Sequence, residues 1–97
     1  MRIDFHTHIA PPGFKRRRNY LVETDATFAD LFSDPNSKLV TADELVHSMD
    51  LNGIDISVIM GMGWSDLGVA RESNDYIIES VQKYPERLFG FASANPI

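Results

Sequence analysis

The clearest hydrophobic patterning lies in Ile54-Asp55-Ile56-Ser57-Val58-Ile59-Met60, which alternates at first and then becomes continuously apolar, with β-branched residues prevailing. Such a run predicts a strand covered on both faces, over 54–62. Residues 2–8 and 87–94 predict two further strands, the first ended by Pro11-Pro12-Gly13 and the last by Asn95-Pro96. Between the strands the period lengthens to that of helices. Leu45, Val46 and Met49 share one face of a helix over 41–52, opened by a Thr41-x-x-Glu44 capping box and stopped by Asn52-Gly53. A helix over 69–84 carries a stripe of Val69, Tyr76, Ile77, Val81 and Tyr84, and Pro85 closes it. Residues 9–40 read as a long connection, with a turn at Asp34-Pro35-Asn36-Ser37 and at most a short helix from Ala26 to Phe32 that sets Phe28, Leu31 and Phe32 on one side. So long a connection is expected to be a functional loop or lid.

The order strand, helix, strand, helix, strand predicts an α/β fold with a parallel sheet and right-handed crossovers. Two helices cover one face of such a sheet and leave the other bare, with both edges unpaired. Closure into a (β/α)8 TIM-type barrel would bury that face, and such a barrel needs about 250 residues. The chain has 97 and stops directly after a strand. The expectation is therefore one segment, 1–97, forming the N-terminal βαβαβ portion of a larger barrel.

Composition narrows the chemistry. At 43% apolar and 24% charged residues the chain reads as an ordinary globular segment. Cysteine is absent, which excludes disulfides, thiolate metal sites and thiol nucleophiles, so any metal must be held by nitrogen and oxygen. No signal-peptide pattern and no membrane-length apolar run occur, making the cytoplasm the expected location. A net charge of −5 argues against a nucleic-acid partner, although Lys15-Arg16-Arg17-Arg18 gathers four of the nine basic residues.

His6 and His8 carry the strongest chemical signal. A strand turns every second side chain to the same face, so both imidazoles should point the same way at the strand's end. Their Cβ atoms would lie about 6.5–7 Å apart, and the rings can converge on one ion at about 2.0–2.1 Å from each nitrogen. Metal ligation is favoured over a pair of merely satisfied histidines because imidazole chemistry and strand period agree. Asp4, one step deeper on the same face, is a candidate for orienting a ligand imidazole, or lies unrelated in a polar pocket. Arg16 and Arg17 are candidates for a forked grip on a substrate carboxylate, against the commoner reading of solvated loop charge, which Asn19 and Tyr20 share. Trp64, after Gly61-Met62-Gly63, either walls a substrate pocket or packs beneath a loop, and Asn95 at the end of the third strand is a comparable candidate. His47 reads as an exposed helix residue, and Met60 and Met62 as core or pocket lining.

Three motifs in order give a resemblance: Ile3-Asp4-Phe5-His6-Thr7-His8, then Met49-Asp50-Leu51-Asn52-Gly53-Ile54-Asp55, then Asn74 with Lys83-Tyr84-Pro85-Glu86-Arg87-Leu88-Phe89-Gly90-Phe91-Ala92. Together they resemble the N-terminal part of the amidohydrolase-related metal-dependent hydrolases, in the branch of aminocarboxymuconate-semialdehyde decarboxylase and related decarboxylases, lactonases and hydratases. The resemblance implies a distorted (β/α)8 barrel with a divalent metal, most often zinc, at its C-terminal face. His6 and His8 match the first-strand ligands, while the remaining ligands and a catalytic His and Asp would lie beyond Ile97. The implied enzyme is a hydrolase or decarboxylase acting on a small carboxylate-bearing substrate. Two other expectations stand beside it: a noncatalytic βα domain that buries its bare sheet face against a copy of itself as a homo-oligomer, and a noncatalytic module whose basic loop docks an anion or a nucleic acid, which the acidic balance elsewhere disfavours.

Overall fold

The computed structural model describes residues 1–34 and 37–91. Its elements are β1 (Ile3–Thr7), α1 (Gly13–Arg16), α2 (Arg18–Thr24), α3 (Ala26–Phe32), α4 (Ala42–Asn52), β2 (Ile56–Met60), α5 (Leu67–Lys83) and β3 (Leu88–Phe91). The strands form one open parallel sheet in the order β1-β2-β3. Thr41 and Glu44 open α4 with a reciprocal capping box, and Gly53 ends it at φ 67°, a left-handed position that glycine adopts without strain. Helix α5 starts two residues earlier than its apolar stripe indicates, because the Asp66 carboxylate caps it by accepting the Val69 N–H at 3.0 Å.

Helices α4 and α5 cover the same sheet face. Met49 and Ala42 from α4 and Ile77 from α5 meet Ile59 and Leu88 in one buried cluster, with Leu45, Val46, Tyr76, Val81 and Tyr84 half-buried around it. Gly90 permits the approach: a Cβ there would stand 2.6 Å from a methyl of Ile77 and 2.9 Å from one of Val81. The opposite face carries Ile3, Phe5, Phe89 and Phe91, all exposed. At the N-terminal end of the strands, Arg87 donates to the Asp55 and Ile54 carbonyls and pairs with Asp50 at 2.8 Å, while the Asp55 carboxylate accepts the Arg2 N–H. The motif residues Asp50, Asp55 and Arg87 thus rivet the end of the sheet farthest from the histidines.

Within residues 9–40 the short helix expected from Ala26 to Phe32 is present as α3, and two more short helices stand where a loop was expected. All three, α1 to α3, fold on a core of their own made of Phe14, Leu21, Phe28, Phe32 and Trp64. Phe28 and Phe32 are buried as the spacing indicates, but Leu31 is exposed, because α3 is a single-sided helix too short to bury both flanks. The segment leaves and returns at one point, where the Ala10 N–H donates to the Val40 carbonyl at 2.8 Å. A buried carboxylate, Asp25, organises its middle by accepting the Phe28 N–H at 2.9 Å and the Asp66 N–H at 2.7 Å. Among the described residues no helix is long and apolar enough to cross a membrane.

Candidate metal centre

The pairing of β1 with β2 decides where the histidines point. Asp4 lies opposite Ser57 and Thr7 opposite Ile59, so three steps along β1 match two along β2 and one residue of β1 is extra. This is a β-bulge, which re-aims the side chains around it. Ser57 and Ile59 belong to the helix-covered face, so Asp4 and Thr7 do too. Phe5 flanks Asp4, and His6 and His8 flank Thr7; all three therefore project from the bare face, at its C-terminal end.

The two imidazoles converge there. Their rings are near perpendicular, with centroids 4.9 Å apart, and Nε2 of His8 lies 3.2 Å from Nε2 of His6. Nδ1 of His8 stands 2.9 Å from the Met60 carbonyl, an oxygen that can only accept, so Nδ1 carries the proton and Nε2 of the neutral ring is a bare lone pair. A backbone carbonyl fixing the far nitrogen is the usual support of a ligand histidine. Two nitrogens held at about 2.0–2.1 Å from a tetrahedral ion are roughly 3.3–3.4 Å apart, so the observed spacing fits a shared cation with little movement. With His8 Nε2 as acceptor, His6 donates its Nε2–H, and ligation by His6 through that nitrogen would require the proton to move off it. Among the described residues no third His, Cys, Asp or Glu joins the pair.

Asp4 does not support either ring. The bulge turns it to the helix side, where its carboxylate accepts the backbone N–H of His6 at 3.1 Å. Support for His8 comes from Met60 instead, through a main-chain atom that leaves no trace in residue type. The basic run is spent on structure: Lys15 pairs with Glu44 at 3.0 Å, Arg17 pairs with Glu72 and lies over the Phe14 ring, and Arg18 donates to the carbonyls of Phe32, Asp34 and Ser37. Arg16 is exposed and lines, with Arg17, a groove of about 910 Å³ against the outer side of α5 that includes neither histidine. Trp64 packs under the α1–α3 segment, 3% exposed, with Phe14, Phe28 and Phe32 rings 5.8–6.4 Å away. Asn95 lies outside the described residues.

No family model matches the chain, and no curated protein matches it. Among solved structures it is similar to 4-oxalomesaconate hydratase from Rhodopseudomonas palustris, with a TM-score of 0.51 and 23% identity over 95% of this chain. The chain spans 32% of the hydratase's length. The likeness lies in the fold.

Proposed function

We propose that the chain is the N-terminal part of a metal-dependent (β/α)8-barrel enzyme of the amidohydrolase superfamily, a hydrolase or decarboxylase acting on a small carboxylate-bearing molecule, with His6 and His8 holding a divalent cation for which zinc is the first candidate. The observation that carries this reading is the 3.2 Å approach of the two Nε2 atoms, one of them oriented by the Met60 carbonyl. The fold likeness to 4-oxalomesaconate hydratase supports it, as does the bare apolar face from which the histidines project, which further barrel strands would cover. A bound divalent cation supplies a water of lowered pKa and a polarised carbonyl. The chain's own part is to present two imidazoles from one strand, that of His8 oriented by the Met60 carbonyl. The choice between hydrolysis and decarboxylation falls to an acid or base on a later strand.

Calorimetric titration with Zn²⁺ tests this directly. Saturable binding is expected, and His6→Ala or His8→Ala should weaken it by at least the 10–100-fold that loss of a mere supporting partner costs. Equal affinity in wild type and both variants, or no saturable binding at all, would remove the proposal.

A further inference from the structure

His6 and His8 offer two nitrogens to a cation, and among the described residues no third His, Cys, Asp or Glu joins them. A closed zinc site takes four ligands in a tetrahedron. The pair stands at one corner of the bare sheet face, on the edge strand β1 and at its C-terminal end, and Ile3, Phe5, Phe89 and Phe91 are exposed across the same face. At roughly 150–250 Å² for a whole phenylalanine side chain, the exposed parts of the three rings come to roughly 300–450 Å². Two copies would bury about twice that, short of the roughly 1,200–2,000 Å² of a stable interface. The rings alone thus give weak association, and the histidines alone give half a site. A second copy of the chain meets both deficits.

We infer that two copies of this chain share one divalent cation, each supplying His6 and His8, with their bare faces packed together around a two-fold axis through the ion. The corner position of the histidines selects the axis. An axis along the strands, or one straight across them, joins the histidines but sets the two sheets side by side or end to end. A diagonal axis from the histidine corner across the sheet lays one face on the other, with the strands crossing at near right angles, which is an established mode of sheet packing. The ion then lies between sheets about 10 Å apart, a mid-plane that an imidazole reaches from either side. The inference rests on the His6–His8 clamp of the proposed function and on no other part of it: a later strand and a second copy would compete for the same two open positions on the ion.

Sedimentation velocity on the 97-residue chain, in EDTA and then with increasing Zn²⁺, tests this beside calorimetry. Zn²⁺ should lower the dimer dissociation constant at least tenfold, and both measurements should saturate at half an equivalent per chain. Mg²⁺, which prefers oxygen ligands, should leave the distribution as in EDTA. His8→Ala, at a surface position, should associate no more in Zn²⁺ than in EDTA. Phe89→Lys keeps all four ligands and should raise the dissociation constant of the Zn²⁺ dimer at least tenfold. A monomer that binds one ion per chain overturns the shared site and leaves the clamp of the proposed function standing. Dimers equally strong in EDTA, assemblies that grow beyond two copies, or a His8→Ala variant that pairs in Zn²⁺ like wild type also overturn it. Absence of saturable Zn²⁺ binding removes the clamp and the shared site together.

Discussion

At the scale of single residues, the fully buried Asp25 ties two helix starts together. Its buried carboxylate accepts two main-chain N–H groups, one starting α3 and the other in the turn before α5. Asp25→Ala leaves the buried Phe28 N–H and the part-buried Asp66 N–H without their acceptor and should cost about 3 kcal/mol, and Asp25→Asn about half that, read from denaturant midpoints. A shift under 0.5 kcal/mol, the range of an ordinary surface change, would show that water replaces the carboxylate. Residue type and strand period predicted that the His6 and His8 imidazoles share one face, and their Nε2 atoms do lie 3.2 Å apart. Strand period misplaced Asp4, because a two-residue period assumes an unbroken ladder and the bulge after Asp4 adds a residue that no side chain announces. Arg17 and Arg18 were equally opaque: guanidinium groups bind carboxylates of a substrate or of the protein itself by the same geometry, and only the fold placed Glu72 and the carbonyls of Phe32, Asp34 and Ser37 within reach.

Among the elements, α4 and α5 followed closely from sequence, since a capping box, a terminal glycine and an apolar stripe all act within a few turns of chain. The short helix over 26–32 is α3, but α1 and α2 were not legible, because short helices without a long stripe owe their stability to tertiary packing, here around Trp64 from a distant loop. The α4–α5 contact is also pH-sensitive. The Tyr84 hydroxyl and then the Lys83 ammonium hold the Asp43 carboxyl below the usual carboxylate range, and Lys15, with the Thr41 N–H, does the same for Glu44. Depressed carboxylate values mean that this stabilisation is present above the ordinary carboxylate range and is lost as pH falls through the lowered values. Asp43 raises both Lys83 and Tyr84, so their share is present below their ordinary values and is lost as pH rises through the raised ones. Thermal midpoints of wild type and Asp43→Asn should therefore converge at both pH extremes and differ most near neutrality; parallel curves would refute the coupling. Gly90→Val tests the sheet contact, with an expected loss of about 1–3 kcal/mol from overpacking against Ile77 and Val81.

For the molecule as a whole, the bare face sets the behaviour in solution. Phe5, Phe89 and Phe91 are 71%, 53% and 61% exposed on one side of a sheet with two open edges, a surface that associates unless covered. Sedimentation velocity on the 97-residue chain should show concentration-dependent association, suppressed by Phe89→Lys and Phe91→Lys on the bare side. A monomer at every concentration would mean that the face is shielded by some other part of the chain. The parallel order of strands was legible because hydrophobic runs alternate with helical stripes, whereas the independent core of residues 10–40 was not. That core hangs from the sheet by its two ends, joined at the Ala10–Val40 hydrogen bond. From the standpoint of the strands, thirty residues count as little more than a tight turn. A different excursion grafted at the same junction, provided it shelters Trp64, would leave the ladder register untouched while replacing one wall beside the histidines, so the reach of the site can be re-cut without reopening the scaffold that holds it.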